Sequence, residues 1–449
     1  MNIHELIRKY DVPVPRYTSY PTVPYWEKAP TKEEWLESVR HTAKSPGGWS
    51  LYLHIPYCET LCTFCGCNNT ITKDHSKGSP YVDSILKELS VYTKAVPEIL
   101  QKPLAHIHLG GGTPTFLSAA ELKSLLAPIL KQFPIADHGF HASIEVDPRR
   151  TNHEQLVTLR DLGFRRISMG VQDFDAEVQR LMNRIQPFEV TQKLTTDARA
   201  LGFDSVNFDL IYGLAKQTRA SMKESVERTI ALRPDRIALY SLAIVPWIKP
   251  AQRLFKDEDL PVPEEKRELY ELARAELINA GYVEIGMDHF ALPTDALAIA
   301  LREGTLHRNF MGYTETRTDL LLGLGVSAIS ETPDSFHQNE KVLPLYEQKI
   351  NAGEVPTHRG HRLTDRDRQL REQILKFMTR GEVQFTDAAQ ATQAKEILQP
   401  MIEDGLVKIE NHQLKLTDAG RPFLRNACVC FDERLRAAKP ETRIFSKSI

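Results

Sequence analysis

The sequence predicts an α/β protein built on an incomplete (β/α)6 barrel, with an N-terminal arm and a mainly helical, winged-helix-like C-terminal domain. Between residues 49 and 243, six short apolar runs alternate with longer amphipathic stretches. Because each stretch joins one run to the next, the runs are expected to be parallel strands with right-handed crossovers. Polar residues stand at the carboxyl ends of successive strands, where β/α barrels carry their active sites. Periodicity alone leaves an open, doubly wound sheet as the alternative.

The secondary-structure elements of the barrel follow from this alternation. The apolar, β-rich runs predict strands over residues 49–55, 106–109, 142–146, 166–171, 206–211 and 237–242. The amphipathic stretches predict helices over residues 81–100, 120–133, 153–162, 190–201 and 221–232.

The chain outside the barrel divides into three further regions. Residues 1–48 form the arm, in which four prolines keep residues 11–26 out of a helix. The arm either straps another surface or reaches into the barrel mouth. Residues 244–362 are a barrel extension with a helix over 264–280 that ends at Gly281, followed by a loop-rich segment over 288–330. Residues 363–449 predict helices over 365–379 and 388–403, then strands over 406–410 and 413–416, a module for docking or covering rather than for DNA.

Composition excludes several classes of protein. The chain has 449 residues and a formal net charge of −2, so no global positive field indicates a nucleic-acid or membrane partner. No apolar run approaches the roughly 20 residues of a membrane helix, and the N-terminus has no secretory or transit character. Four of the six cysteines cluster within ten residues, which indicates metal or redox chemistry in a reducing compartment. We expect a cytoplasmic monomer.

The clustered cysteines have a specific spacing. Cys58, Cys62 and Cys65 form a C-x3-C-x2-C motif directly after the first predicted strand. Three thiolates can ligate three irons of a [4Fe–4S] cluster and leave the fourth iron open for S-adenosylmethionine. The alternative is a structural zinc site that adds Cys67, but zinc ligands usually come as two separated pairs. Beside a cluster, Cys67 is either a plain thiol or a group near the substrate.

A second set of residues predicts a nucleoside site at the same end of the barrel. Consecutive glycines at positions 110–112, followed by Thr113, let the backbone approach a ligand closely. Glu145, Gln172 and Asp209 end or follow later strands, and Arg184 lies in a connection. Each of these is more often a solvated or capping residue when taken singly, so the prediction rests on the set.

Several segments resemble the oxygen-independent coproporphyrinogen III oxidase family of the radical S-adenosylmethionine superfamily. The resemblance covers residues 10–432 and is most specific over residues 15–22, 65–68, 245–250, 286–290, 307–310 and 323–330. It implies two bound S-adenosylmethionine molecules. One would contact Tyr52, Gly111, Glu145 and Ile329, and the other Phe64, Gly112, Thr113, Gln172, Arg184, Asp209 and Ala243. Tyr52 and Cys67 are the expected catalytic residues.

The resemblance also implies a reaction. Two propionates of coproporphyrinogen III would become vinyl groups, giving protoporphyrinogen IX, after a 5′-deoxyadenosyl radical removes a hydrogen from each propionate. An unidentified reductant and an unidentified electron acceptor would take part. Because buried carboxylates need cationic partners, Arg16, Lys249, His307 and Arg308 are candidates to bind the substrate. The alternatives are a haem-binding chaperone or a haem-degrading relative in the same superfamily.

Overall fold

The computed structural model describes residues 3–26, 29–136, 139–438 and 444–448. Its helices are α1 (Ile3–Tyr10), α2 (Lys32–Ala43), α3 (Gly78–Ala95), α4 (Ala119–Gln132), α5 (His153–Asp161), α6 (Ala176–Leu181), α7 (Phe188–Ala200), α8 (Arg219–Leu232), α9 (Pro263–Asn279), α10 (Ala296–Glu303), α11 (Leu343–Asn351), α12 (Asp365–Arg380), α13 (Ala388–Glu403), α14 (Leu424–Cys428) and α15 (Glu433–Ala438). Within these residues, no helix combines the length and the apolar character that crossing a bilayer requires.

The strands are numbered in chain order. They are β1 (Trp49–Ile55), β2 (Tyr57–Cys58), β3 (Thr70–Ile71), β4 (Leu104–Gly111), β5 (His141–Val146), β6 (Arg166–Gln172), β7 (Ser205–Tyr212), β8 (Arg236–Ser241), β9 (Val283–Gly286), β10 (His289–Ala291), β11 (His307–Asn309), β12 (Gly312–Thr314), β13 (Leu320–Leu324), β14 (Ile329–Glu331), β15 (Ser335–Asn339), β16 (Thr357–Arg362), β17 (Glu382–Gln384), β18 (Val407–Glu410) and β19 (Gln413–Leu416).

The main sheet has the strand order of a barrel wall. Among the described residues, its order is β16-β15-β14-β13-β1-β4-β5-β6-β7-β8-β10-β9. The six predicted strands, β1 and β4 to β8, are parallel neighbours in chain order. A doubly wound sheet would instead reverse its strand order at a switch point. The predicted fold class, an incomplete β/α barrel, is therefore confirmed.

The extension adds strands to both edges of this wall. On one side β13 pairs with β1 in parallel and places Gly323 opposite Tyr52, and β14 to β16 continue antiparallel. On the other side β10 pairs antiparallel with β8. The prediction of a loop-rich segment over residues 288–330 is wrong, because α10 and β10 to β14 lie there. Strands of three to five residues are too short to show a period in the sequence.

The barrel strands separate an apolar outer face from a polar inner face. Ile107, Ile144, Ile167 and Val206 are fully buried in the main apolar cluster, together with residues of the surrounding helices. Side chains alternate along a strand, so the residues between them point to the other face. Those residues are polar and bond to one another, as Ser143 does to His108 at 2.7 Å. The barrel interior is thus a polar site rather than a dry core.

The arm and the C-terminal region share a second apolar cluster. Tyr10, Tyr17 and Tyr20 of the arm pack with Phe377 and Phe423, among other residues. The C-terminal region has the two predicted helices, α12 and α13, and a three-stranded sheet of order β17-β19-β18. The separate cluster supports a boundary near residue 363, and the four-region division stays a proposal.

Candidate active site

The cysteine loop leaves the carboxyl end of β1 and is fixed by the segment that follows α6. The Thr63 amide donates to the Met182 carbonyl at 3.1 Å, and Asn183 Nδ2 donates to the Leu61 carbonyl at 2.8 Å. Asn183 has φ +55°, a left-handed conformation that Asn tolerates. These hydrogen bonds hold the loop at Leu61 and Thr63, before Gly66.

Each of the three cysteines of the motif has a polar neighbour at its sulfur. Cys58 Sγ lies 3.3 Å from Thr113 Oγ1, and Cys62 Sγ lies 3.7 Å from Arg184 Nη1. Cys65 Sγ accepts from the Cys67 amide at 3.4 Å and from Asn69 Nδ2 at 3.6 Å. The hydrogen bonds from Cys67 lower the pKa of Cys65 to about 6, whereas burial raises the pKa of Cys58 to about 11.

These residues fit an iron–sulfur cluster better than a single metal ion. All six cysteines are free thiols, so the three of the motif are available as ligands. Zinc would need its ligands about 2.3 Å from one ion. Across the described ranges, no three His, Cys, Asp or Glu side chains are grouped around one such point. A cubane spreads three thiolates over three irons, and donors aimed at the sulfurs stabilise its anionic ligands.

The glycine turn at the end of β4 is packed flat against the start of the cysteine loop. The Gly112 amide donates to the Ile55 carbonyl at 2.8 Å, and the Thr113 amide donates to the Tyr57 carbonyl at 2.9 Å. Gly111 has φ +116°, and a Cβ there would lie 2.8 Å from the His54 ring. A Cβ on Gly112 would lie 2.6 Å from the Pro56 carbonyl oxygen. The turn therefore requires glycine at both positions.

Glu145 lies beside this turn. Its carboxylate is 3.4 Å from His108 Nε2 and accepts from the Gly111 amide at 3.3 Å. Burial alone would raise the pKa of Glu145, but the hydrogen bond and charge of His108 hold it below its usual value. Glu145 is thus an anion at neutral pH.

Asp209 has the opposite electrostatic character. It accepts from Asn207 Nδ2 at 2.9 Å and from Ser168 Oγ at 3.2 Å. Burial, and then repulsion from Glu145, raise the pKa of Asp209 to about 7. The two carboxyls, on β5 and β7, therefore differ in how readily they ionise, so Glu145 can accept from a cationic amine and Asp209 can exchange hydrogen bonds with hydroxyls.

Arg184 connects the cysteine loop to the strand ends. Its guanidinium pairs with Asp147 at 3.1 Å and donates to the Gly170 carbonyl at 2.6 Å. Gln172 ends β6 with φ +71°, which turns its side chain out of the strand register. The other predicted contacts lie around this group. The carbonyl oxygens of Ala243 and Phe64 both accept from Gln252 Nε2, at 3.0 and 3.2 Å. The Ile329 carbonyl packs on Gly323, which lies opposite Tyr52 in the sheet.

Sequence reasoning missed four residues of this site. His54 lies 3.0 Å from the Tyr52 hydroxyl and 2.9 Å from the Asn68 carbonyl. His108 contacts Glu145, and Asp147 pairs with both Arg184 and Arg149, the latter at 2.6 Å. A signal was present for the two histidines, because they lie in strands whose residues are mostly apolar. Asp147 and Arg149 follow a strand and resemble an ordinary turn.

The four candidate substrate cations do not behave alike. Arg16 forms an ion pair with Asp288, and Arg308 donates to the Arg16 carbonyl at 3.3 Å. Lys249 donates to the Cys67 carbonyl at 2.6 Å and so lies beside the cysteine loop. Burial, and then the charges of Arg317 and Arg371, lower the pKa of His307 to about 4. A bound carboxylate would raise this pKa again, so the interpretation of His307 as a substrate cation stays a prediction.

Comparison with known proteins gives the class to which the chain is similar. Residues 52–229 match the model of the radical SAM superfamily. This part of the chain thus matches the radical S-adenosylmethionine class, whose members bind a [4Fe–4S] cluster and S-adenosylmethionine.

The relatives define the family within that class. The chain is 40% identical over 456 residues to the oxygen-independent coproporphyrinogen III oxidase of Escherichia coli, covering 99% of this chain and 98% of the relative. It is 38% identical over 441 residues to that of Pseudomonas aeruginosa, covering 96% and 95%. A solved structure of the Escherichia coli coproporphyrinogen III oxidase, a radical SAM enzyme, superposes with a TM-score of 0.89 at 39% identity, covering 96% and 98%. The chain belongs to the oxygen-independent coproporphyrinogen III oxidase family.

Proposed function

We propose that this chain oxidatively decarboxylates two propionates of coproporphyrinogen III to vinyl groups without oxygen, giving protoporphyrinogen IX. The observation that carries the proposal is the loop of Cys58, Cys62 and Cys65 packed against the Gly111 turn and Glu145 at one end of the barrel. Full-length similarity to oxygen-independent coproporphyrinogen III oxidases favours this function over haem binding or haem degradation.

The three cysteines would hold the cluster, which when bound supplies the electron that cleaves S-adenosylmethionine to a 5′-deoxyadenosyl radical. The remaining chemistry of the protein is positioning. The backbone of the glycine turn, held flat against the start of the cysteine loop, would contact the methionine part of the cofactor. The anionic Glu145 can accept from its amine, while Tyr52 and Ile329 border the same space.

A second S-adenosylmethionine is the finer part of the proposal. Asp209, Arg184 and Gln172 lie on β7, the segment after α6, and β6, whereas Glu145 is on β5. These three residues, with Phe64, Gly112, Thr113 and Ala243, would contact the second molecule. The opposite shifts in the pKa values of Glu145 and Asp209 support two distinct subsites, since each carboxyl then suits a different partner.

Substrate contacts are proposed for four cations and two catalytic residues. Arg16, Arg308 and Lys249 would pair with propionates, and His307 would do so in its protonated form, which a bound carboxylate favours. Burial raises the pKa of Tyr52, so its hydroxyl is protonated and can donate. Cys67 is exposed beside Lys249, which supports a place next to the substrate. The proposal further includes a separate reductant and electron acceptor, a monomer, a cytoplasmic location, and no nucleic-acid or membrane partner.

One experiment tests the function. The cluster is reconstituted without oxygen, and the protein is incubated with dithionite, S-adenosylmethionine and coproporphyrinogen III. Mass spectrometry should find 5′-deoxyadenosine and a porphyrinogen that has lost two carboxyl groups. Cys62→Ser should abolish both products because one iron loses its ligand, whereas Cys430→Ser, in the C-terminal cluster, should retain them. Equilibrium dialysis on the same sample counts the S-adenosylmethionine bound per chain.

The outcomes separate the alternatives. Formation of 5′-deoxyadenosine with an untouched porphyrinogen would keep the radical chemistry and reject the substrate. Absence of both products from a protein that retains haem would replace the oxidase with a haem chaperone.

A further inference from the structure

A group of polar side chains on β4 and β5 ends at Glu145, beside the glycine turn. His108 lies directly opposite Ser143 in the register of these two strands, and Glu145 follows two residues later on β5. The His108 ring stacks against the Tyr52 ring, with 6.0 Å between the centroids, and against the His106 ring at 6.2 Å. These contacts fix the position of the His108 ring and leave open which of its nitrogens carries the proton.

Three groups lie within hydrogen-bonding distance of the Ser143 hydroxyl. Its oxygen is 2.7 Å from His108 Nδ1, 3.4 Å from His106 Nε2 and 3.4 Å from Arg166 Nη2. Ser143 is 2% exposed, so these three groups are the surroundings of its hydroxyl rather than bulk water. A serine hydroxyl has one proton to donate and two lone pairs that accept. The direction of each bond therefore depends on which neighbours can donate.

Two of these neighbours have a defined protonation state. Burial, and then the charge of Arg236, lower the pKa of Arg166 to about 10, which leaves Arg166 a cation at pH 7. A guanidinium has donors and no acceptor, so Arg166 donates to Ser143. Burial, and then the charge of Arg166, lower the pKa of His106 well below its usual value. His106 is therefore a neutral ring with a single N–H.

Two arrangements satisfy the remaining contacts, and Glu145 decides between them. In the first, Ser143 donates to His108 Nδ1 over 2.7 Å and accepts from His106 Nε2. In the second, His108 Nδ1 donates to Ser143, whose proton then points at His106 over 3.4 Å. The second leaves a lone pair on His108 Nε2 facing Glu145 Oε1 at 3.4 Å, where it is repelled. The first places the proton of the neutral His108 ring on Nε2, from which it is donated to Glu145.

Glu145 keeps free acceptor capacity in this arrangement. Its Oε1 accepts from His108, and its Oε2 accepts from the Gly111 amide at 3.3 Å. Both donors belong to β4, so the carboxylate is held against that strand. An ionised carboxylate has about four lone-pair sites, and 45% of the Glu145 side chain is exposed. The sites that the two donors leave unused are available to a cationic ligand.

We propose that Ser143 and His108 are positioning residues that orient Glu145 toward the amine of S-adenosylmethionine, through hydrogen bonds directed from Arg166 to Ser143, from Ser143 to His108 and from His108 to Glu145. Each acts through Glu145 rather than on the cofactor. The inference rests on the proposed function in taking Glu145 as the partner of the amine, and deepens it. A cationic amine binds best to a carboxylate that is both ionised and fixed in direction.

The test compares two ligands by isothermal titration of the reconstituted, unreduced protein. One is S-adenosylmethionine, and the other is its desamino analogue, which has the same adenosine, sulfonium and carboxylate but no amine. The amide of His108→Gln can reach the place of Nε2 and donate to Glu145, whereas that of His108→Asn reaches only the place of Nδ1. His108→Asn should weaken binding of S-adenosylmethionine about tenfold and leave that of the analogue within about twofold. His108→Gln should keep both affinities within about threefold.

Ser143→Ala tests the other member of the pair and remains measurable should His108→Asn fail to fold. It should weaken binding of S-adenosylmethionine about threefold and spare the analogue, because His108 loses the donor that orients its ring. Ser50→Ala is the matched control. Ser50 is also 2% exposed and lies on the neighbouring strand β1, but its hydroxyl contacts Thr318 Oγ1 at 2.8 Å. Neither ligand should bind Ser50→Ala differently from the wild-type protein.

The ligand pair separates positioning from a structural role. A loss of affinity that both ligands share in His108→Asn would indicate a structural role and overturn the inference. Unchanged affinity for S-adenosylmethionine in both His108→Asn and Ser143→Ala would also overturn it, as would equal losses in His108→Asn and His108→Gln.

Turnover of coproporphyrinogen III measured in parallel distinguishes this inference from the proposed function. If the wild-type protein forms the vinyl product while His108→Asn binds S-adenosylmethionine as tightly as the wild type, the function stands and the positioning role is wrong. If the amine-selective loss is found but the wild-type protein leaves the porphyrinogen untouched, the positioning role stands and the proposed substrate is wrong.

Discussion

At the scale of single residues, Gly111 is the most constrained backbone position of the site. Its φ of +116° is open to glycine and strained for other residues. The space above it is filled by a His54 ring that two hydrogen bonds fix in place. A methyl group at this position therefore meets both backbone strain and an immobile neighbour.

Gly111→Ala should lower the affinity for S-adenosylmethionine at least tenfold, which corresponds to about 1.4 kcal/mol. The new Cβ would displace His54 and, through it, the Tyr52 hydroxyl, which we propose borders the cofactor. Isothermal titration of the reconstituted protein measures the loss. Gly66→Ala is the matched control, because Gly66 lies in the cysteine loop and its Cβ would meet nothing within 4 Å. Equal affinity in both variants would show that His54 does not set the cofactor site.

Some residues of the site could be predicted from the sequence and others could not. The cysteine spacing and the glycine run predicted which segments lie together, because each is a local pattern. His54 and His108 were missed, since their role depends on which strands are neighbours and in what register. His307 was interpreted as a cation, but its charge depends on burial and on Arg317 and Arg371, which no local pattern contains.

At the scale of elements, α3 forms hydrogen bonds that connect β1 of the barrel to the extension strands β13 and β15. The Tyr81 hydroxyl donates to the His54 carbonyl at 2.8 Å and accepts from the Val326 amide at 2.9 Å. Two turns further along, Glu88 accepts from the Gly325 amide at 2.8 Å and from Asn339 Nδ2 at 2.7 Å. Helix α3 thereby positions the connection that leads from β13 into Ile329.

Tyr81→Phe should destabilise the protein by about 1–3 kcal/mol, because a buried carbonyl and a buried amide lose their partner. It should also weaken S-adenosylmethionine binding, since both His54 and the connection to Ile329 lose a restraint. Denaturant unfolding and titration measure the two effects.

Tyr57→Phe is the control for that variant. The Tyr57 ring packs 5.4 Å from the Tyr81 ring, and its hydroxyl makes no hydrogen bond within the described residues. Loss of stability without loss of cofactor affinity in Tyr81→Phe would confine the role of α3 to folding.

The elements themselves were largely predictable where they are long. The first predicted strand, the helix Ala388–Glu403 and the strand Gln413–Leu416 have the predicted bounds. Helix α3 ends at Ala95 rather than residue 100, because Pro97 starts a separate 3-10 turn. Strands β10 to β15 escaped prediction because tertiary pairing, not local pattern, defines segments of three to five residues.

At the scale of the whole molecule, the two ends of the barrel differ in chemistry. The carboxyl end holds the cysteine loop and the glycine turn. The opposite end is filled by Glu315, which pairs with Arg236 at 3.1 Å and Arg166 at 3.3 Å, while Arg236 also pairs with Asp295 at 2.7 Å. Arg236 and Arg166 begin β8 and β6, so this network holds the extension against the amino-terminal ends of the strands.

The network makes stability depend on pH in a defined direction. Burial alone would raise the pKa of Glu315, but Arg236 and Arg166 hold it well below its usual value. A carboxyl whose folded pKa lies below its unfolded pKa stabilises the fold above the unfolded value of about 4.3, and this contribution is lost as the pH falls toward the folded pKa.

Glu315→Gln should therefore lower the free energy of unfolding at pH 7 by about 3–5 kcal/mol, because it leaves the buried Arg236 and the partly buried Arg166 short of a counter-charge. The difference from the wild-type protein should shrink below about pH 4, and 5′-deoxyadenosine formation per folded chain should not change, since Glu315 lies at the opposite end from the cysteines. Urea unfolding between pH 3 and pH 8 measures the difference in the free energy of unfolding. Glu224→Gln breaks an exposed pair with Arg228 and should cost less than about 0.5 kcal/mol. A Glu315→Gln protein as stable as the wild type at pH 7 would mean that the extension is held by its strand pairing alone, and that the ion network only fills the end of the barrel.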